Sequence, residues 1–156
     1  MTDASQPQDE GAVPIPPEIV ALAASTLDQI DPPAWGPSPE DASALVRRAH
    51  TLRTVPLAQL GNDDLRLLIS QDVARDTLVP VALGMLRYRP LLEGDYYPGD
   101  LLLAVMRVPA SYWHANPDQL ALLREGLSRL DRADPSYPVF EDEEFETAVA
   151  RFRSGT

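Results

Sequence analysis

The chain has 156 residues, of which 44% are hydrophobic and 24% charged, so it is suited to one globular domain and is not wholly disordered. It contains no cysteine, which excludes disulfides, thiolate zinc sites and cysteine nucleophiles. The formal net charge is -11, and all 13 basic residues are arginines, so lysine-dependent chemistry is excluded too.

The N-terminal part is rich in proline, with eight of the 16 prolines in the first 40 residues. Residues 1–17 are polar and interrupted by proline, which predicts a disordered tail. Residues 18–37 predict a short helix followed by a proline-rich linker that carries Trp35. No basic segment is followed by an apolar one, so we expect no secretory signal.

From residue 38 onward, apolar residues recur at helical spacing, which predicts one domain over residues 38–156. The first helix is expected to run from Ser38 or Asp41 to about Arg53, and its inward-facing residues are expected to be Ala42, Leu45, Val46, Ala49 and Leu52. Further helices are expected from Asn62 or Asp63, from Asp76 or Thr77 to before Pro90, over Leu101–Val108, from Pro117 to about Leu130, and over Phe140–Arg153.

No segment alternates apolar and polar residues in the manner of a strand, and the hairpin turn dipeptides Asn-Gly and Asp-Gly are absent. The expected fold is therefore all-α, a single-domain bundle of six to eight short helices with a proline-rich N-terminal leader. Leu101–Val108 is apolar on most sides and is expected to be the buried central helix. Gly126 either weakens its helix or allows close packing.

The negative charge bears on the choice of partner. Direct nucleic-acid binding needs a basic surface, so the chain is not expected to bind nucleic acid. An acidic surface suits a basic protein partner, although net charge also serves solubility alone.

The sequence offers little for catalysis. His50 and His114 are the only histidines and lack metal-ligand spacing, and neither a nucleophile elbow nor a phosphate-binding glycine loop is present. We therefore expect no enzyme, no metal site and no cofactor.

Two acidic segments are candidate partner-binding surfaces. The first is a loop with adjacent carboxylates and tyrosines: Glu93, Asp95, Tyr96, Tyr97 and Asp100. Tyrosines give rigid contact area and carboxylates pair with basic groups. A purely structural interpretation is also open, in which Gly94 forms a positive-φ turn and Asp100 caps exposed amides.

The second candidate segment contains Glu141, Asp142, Glu143 and Glu144. Such a run of charges could also be a solvated helix face.

Several short motifs occur between Trp35 and Trp113: Leu45-Val46-Arg47-Arg48 with His50, Asp64-Leu65-Arg66-Leu67-Leu68-Ile69-Ser70-Gln71, Leu78-Val79-Pro80-Val81-Ala82-Leu83, and Gly94-Asp95-Tyr96-Tyr97-Pro98-Gly99-Asp100-Leu101-Leu102. In this order and spacing they resemble the immunity proteins of bacterial contact-dependent growth inhibition (CDI) systems. The chain departs from the family pattern after Gln71, where Asp72–Asp76 stands in place of a glycine-containing turn.

The resemblance implies a non-catalytic cytoplasmic protein that binds the toxic C-terminal domain of a surface-delivered effector, often a nuclease. It further implies that binding blocks the toxin's active site or a nearby surface. A nuclease has a basic substrate site, which agrees with the acidic charge of this chain.

Two other functions remain open from the residues. One is an all-α structural or regulatory adaptor, which could dimerise through the leucines between Leu120 and Leu130. The other is an enzyme that uses paired carboxylates and a divalent metal, with Asp95 and Asp100 as ligands.

Overall fold

The computed structural model describes residues 21–138 and 143–154, where the regular secondary structure is helical and β-structure is limited to two isolated bridges. Eight α-helices, α1 to α8 in chain order, span Leu27–Ile30, Ala44–Leu52, Asn62–Ser70, Arg75–Leu86, Asp100–Met106, Ala110–Ala115, Pro117–Leu127 and Glu144–Arg153. A 3-10 helix, Leu57–Gln59, lies between α2 and α3. The predicted all-α fold is confirmed. The predicted tail over residues 1–17 lies outside the described residues.

The predicted N-caps of α2, α3 and α4 are wrong, because these helices begin after Ser43, Gly61 and Ala74. Three other helix-start features have a local cause in the sequence. Thr26 and Gln29 form a reciprocal capping box at α1, the described helix within the predicted 18–37 segment. The Ser43 side chain accepts a hydrogen bond from the Val46 amide and starts α2. Pro117 occupies the first position of α7, where its missing N–H costs nothing.

The centre of the core is α5, in which every residue is buried. It packs against α3, α4 and α8, and these helices cover the apolar surface that α5 has on most of its sides. The predicted central helix is therefore confirmed, although it begins one residue earlier and ends at Met106. Over the described residues, no helix combines the length and apolar character needed to cross a membrane.

The leucine face of α7 belongs to this core. Leu123 and Leu127 are each 1% exposed, and Leu120 and Leu130 pack against the core. A homodimer built on this face would need these side chains to leave the core. At Gly126, an added Cβ would lie only 2.7 Å from the backbone oxygen of Leu86, so this glycine permits close approach of α7 to the end of α4.

A buried arginine fastens the N-terminal segment to the domain. The side chain of Arg53 is 1% exposed and donates to the carboxylates of Asp28, at 2.8 Å, and Asp31, at 3.3 Å. It also donates to the backbone oxygen of Asp31, at 2.6 Å. We call residues 31–37 the strap. Because a charged group is this deeply buried, its ion pairs and hydrogen bonds are needed to offset the loss of solvation.

The expected burial of Leu45 and Val46 is wrong. Ala49 and Leu52 face the core as predicted, but Leu45 is 40% exposed and Val46 is 39% exposed. The periodicity identifies the helix correctly. However, α2 lies at the edge of the domain, where α3 is its principal helical neighbour and only a narrow stripe of its surface is covered.

We expect Gly126→Ala to lower the free energy of unfolding by about 1–3 kcal/mol, because the added methyl forces the α4 and α7 backbones apart. Urea denaturation followed by circular dichroism measures this effect. The matched control is Gly61→Ala, whose Cβ would meet only Asp64 Oδ2 at 3.5 Å and should cost less than about 1 kcal/mol. Equal effects of the two changes would contradict the packing role of Gly126.

Candidate functional site

The first candidate loop is a closed turn between α4 and α5. A β-bridge pairs Glu93 with Pro98, and the Gly99 amide donates to the backbone oxygen of Leu92 at 3.2 Å. Gly99 has φ +94°, a conformation that favours glycine, and it leads directly into α5. The glycine of this loop with a positive φ is therefore Gly99, and the prediction of a positive φ at Gly94 is wrong.

Asp100 holds this loop from below. Its Oδ1 accepts a hydrogen bond from the Gly94 amide at 2.6 Å, and its Oδ2 accepts one from the Tyr96 amide at 3.1 Å. The side chain is only 3% exposed. The carboxylate thus caps amides of the loop itself, and its burial leaves it little access to a partner.

A second carboxylate reaches the loop from α3. Asp63 Oδ1 accepts from the Asp95 amide at 2.9 Å and from Arg66 Nε at 2.5 Å. Asp63 Oδ2 accepts from Arg48 Nη2 at 3.0 Å. The hydrogen bond from Arg66 holds the pKa of the Asp63 carboxyl well below its usual range. Asp63 is therefore ionised under ordinary conditions and joins α2, α3 and the loop.

The Asp63 and Asp100 carboxylates lie so close to the backbone of Gly94 that only glycine fits there. A Cβ at this position would lie 2.8 Å from Asp63 Oδ1 and 2.9 Å from Asp100 Oδ2. Any side chain would push the loop off its two acceptors, so the need for glycine is steric rather than conformational.

The outer side of the loop presents the remaining candidate residues. Glu93 and Asp95 are exposed, Tyr97 is half-buried and Tyr96 is 70% exposed. The Arg66 guanidinium carbon lies 4.5 Å from the centre of the Tyr96 ring, so the exposed ring rests on a cation. A hydrogen bond to Asp63 raises the pKa of Asp95 above its usual value.

The second candidate segment lies beside the first. Phe145 is buried, and its Cε2 lies 3.1 Å from the position that a Cβ on Gly99 would take. Glu143 is exposed, whereas Glu144 is paired with Arg107 at 2.5 Å. Glu141 and Asp142 lie outside the described residues. The loop and the start of α8 therefore adjoin, but pairing already satisfies part of the acidity of α8.

Sequence reasoning misses Asp63, Arg66 and Arg48 as parts of the site. The local pattern identifies Asp63 only as a helix cap. Its carboxylate, however, accepts a hydrogen bond from the Asp95 amide, which lies 32 positions away in the chain. Helical spacing places Arg66 on the outward side of α3 and assigns it no partner. Local patterns carry no signal for such distant pairs.

The structure offers no metal site in its described part, since no group of three or more histidine, aspartate or glutamate residues is placed to hold an ion there. His50 Nδ1 instead lies 3.0 Å from the backbone oxygen of Gly36. His114 lies on the exposed side of α6.

Comparison with known proteins gives one match. The family model of the CDI immunity proteins matches residues 29–123, which is more than half of the chain and runs from the second half of α1 through most of α7. No curated protein and no solved structure shows significant similarity to the chain. The matched region contains the strap, the Asp63 network and the first candidate loop.

We expect Asp63→Asn to lower the free energy of unfolding by about 1–3 kcal/mol at pH 7, because it weakens hydrogen bonds to Arg66, Arg48 and the loop. A carboxyl whose pKa is lowered by folding stabilises the fold above its unfolded pKa of about 4, and the stabilisation is lost as pH falls through the native pKa. The stability difference between the original chain and the Asp63→Asn variant should therefore shrink as pH falls below about 4.

The pH experiment is best done in an Asp95→Asn background. Asp95 has a raised pKa, so its effect on stability has the opposite sign and is lost as pH rises through that pKa. Thermal melts across pH measure the difference between variants. The control is Asp41→Asn, at an exposed aspartate with no side-chain hydrogen bond or ion pair among the described residues, which should leave stability nearly unchanged. If the loss of stability caused by Asp63→Asn were the same at every pH, the ionic role of Asp63 would be refuted.

Proposed function

Because the chain belongs to the family of CDI immunity proteins, we propose that it neutralises its cognate toxin domain by placing the Glu93–Gly99 loop in a cationic groove of the toxin. The family assigns the toxin-neutralising role in general. The loop, the groove and the blocked substrate surface are the parts that we propose.

The observation that supports the loop most strongly is its rigid support beneath an exposed outer face. Three consecutive amides, those of Gly94, Asp95 and Tyr96, donate to carboxylates of the domain at 2.6–3.1 Å. A surface that is ordered before binding loses less conformational entropy on association. Tyr96, at 70% exposure, has the amphipathic side chain that is enriched among residues dominating binding energy.

Charge favours the same surface. Glu93 and Asp95 are exposed and have no cationic partner within 4 Å among the described residues, whereas Glu144 and Glu146 pair with Arg107 and Arg132. Unpaired surface carboxylates are available to basic groups of a partner. We therefore place the main contact at the loop. Glu143 and Glu144, at the start of α8, extend it, and Glu141 and Asp142, which lie outside the described residues, are kept as proposed contacts.

We further propose that the toxin is a nuclease and that the complex forms in the cytoplasm. A nuclease needs a cationic groove for its phosphate backbone, and carboxylates on a rigid loop are complementary to such a groove. The chain itself contributes binding and no catalytic step, in agreement with the non-enzymatic character general to its family. Inhibition then requires only occupancy of the groove.

The loop is tested by reversing one exposed charge. We expect Asp95→Arg to weaken binding to a catalytically inactive form of the cognate toxin domain by at least about tenfold, since a cation would enter a cationic groove. Isothermal titration calorimetry measures the affinity, and co-expression with active toxin measures protection. Asp118→Arg changes the net charge equally on exposed α7 and should leave affinity within about threefold.

Asp100→Arg is not a suitable variant here, because Asp100 is buried under the loop and its replacement would disturb the fold. Unchanged affinity and protection with Asp95→Arg, in a protein that melts like the original, would exclude the loop as the main contact. Absence of binding by the original chain would contradict the toxin-neutralising role itself.

Occlusion of a nucleic-acid surface makes a separate prediction. A short oligonucleotide that the inactive toxin binds should compete with this chain, and the apparent dissociation constant of the protein complex should rise linearly with the concentration of free oligonucleotide. Fluorescence anisotropy of a labelled oligonucleotide measures this competition. A stable ternary complex of toxin, oligonucleotide and this chain would show that inhibition does not act by occlusion.

A further inference from the structure

A group of exposed apolar side chains lies on the strap and α2. Trp35 is 42% exposed, Leu45 is 40% exposed and Val46 is 39% exposed. They are three of the five large hydrophobic residues that are exposed in the described part of the chain, and Tyr96 on the loop is another. We call Trp35, Leu45 and Val46 the α2 patch.

Trp35 is held in place although it is exposed. Its amide donates to Asp28 Oδ1 at 3.2 Å, and the Arg53 guanidinium carbon lies 4.5 Å from its ring centre. The His50 ring meets it edge-on, with centroids 4.9 Å apart. An exposed tryptophan that is fixed on several sides is typical of a residue prepared for a partner, because little rotamer freedom is left to lose.

The α2 patch is continuous with the loop. Val46 and His50 are four positions apart on α2, so Val46 neighbours the residue that contacts Trp35. Leu45 and Arg48 are three positions apart and are neighbours as well. Arg48 then donates a hydrogen bond to the Asp63 carboxylate, which also accepts a hydrogen bond from the Asp95 amide. Neighbouring side chains therefore lead from Trp35 to Val46 and, separately, from Leu45 to the loop, and the two paths meet at these consecutive residues of α2.

We propose that the α2 patch is the apolar part of the toxin-binding surface, and that it is covered by apolar side chains beside the toxin's cationic groove. This inference rests on the proposed function and adds to it a second region and the chemistry of its partner. Stable interfaces combine an apolar centre with a polar rim. The acidic loop alone supplies only polar contacts, so the apolar centre must come from another surface.

A second copy of this chain fits the patch less well. Three side chains that are each about two-fifths exposed offer at most roughly 300 Å² of surface, if a large side chain presents about 200 Å². A stable dimer needs about 800 Å² from each partner. A larger contact must extend onto the acidic loop, where a second copy would bring like charges together and a cationic partner would be attracted.

The test is the double variant Leu45→Arg with Val46→Arg, because arginine is tolerated in an exposed helix and would bring charge and bulk into an apolar contact. Its affinity for the inactive toxin domain should fall by at least about 30-fold, and its melting temperature should match that of the original chain. The control is Ala121→Arg on the exposed side of α7, which should leave affinity within about threefold. Asp95→Arg is measured in parallel.

Loss of affinity in both the Leu45→Arg, Val46→Arg variant and Asp95→Arg supports the inference. Loss in Asp95→Arg alone overturns the α2 patch and leaves the loop proposal intact. No toxin binding by the original chain overturns both. Light scattering of the original chain completes the test, since a dimer that the double arginine variant dissociates would assign the patch to self-association and overturn the inference.

Discussion

The candidate site depends on one carboxylate, that of Asp63, whose side chain is 10% exposed and receives hydrogen bonds from three separate parts of the chain. Arg48 comes from α2, Arg66 from the next turn of α3, and the Asp95 amide from the loop. A nearly buried anion is stable only when its partners replace the solvation that it loses. The helices and the loop are therefore fixed relative to one another by a requirement of electrostatics rather than by apolar packing alone.

The acidic residues at the loop consequently divide into two classes with different uses. Asp63 and Asp100 are directed inward, where they accept hydrogen bonds from arginine or from loop amides. Glu93 and Asp95 are directed outward and contribute to the field that a partner meets. The net charge of -11 is thus a poor measure of the charge available for binding, because part of it is neutralised inside the structure. What matters for recognition is the position of the unpaired carboxylates.

The sequence predicts the helices well and their assembly only in part. Apolar spacing identifies α2, α3, α5, α7 and α8, because this signal is local, whereas the N-caps of α2 and α3 are not the predicted residues. Exposure of Leu45 and Val46 is not predictable in this way, since it depends on how many neighbours cover α2. The roles of Gly94 and Gly99 differ from expectation for a similar reason. The need for glycine at Gly94 comes from two carboxylates, one of them 31 positions away, and no local pattern reports that distance.

The same distinction explains how this fold can serve recognition of a particular partner. The domain holds the loop by the backbone amides of Gly94, Asp95 and Tyr96, and it makes no use of the outward carboxylate of Glu93 to do so. Backbone amides are present whatever the side chain, so exchanges at Asp95 or Tyr96 leave the loop's support in place. Specificity between related binding pairs requires contacts that differ from pair to pair on a common scaffold. If the loop is the contact, as we propose, its main-chain anchoring meets this requirement, because its outer side chains could then vary between pairs while the Asp63 and Asp100 carboxylates preserve its shape.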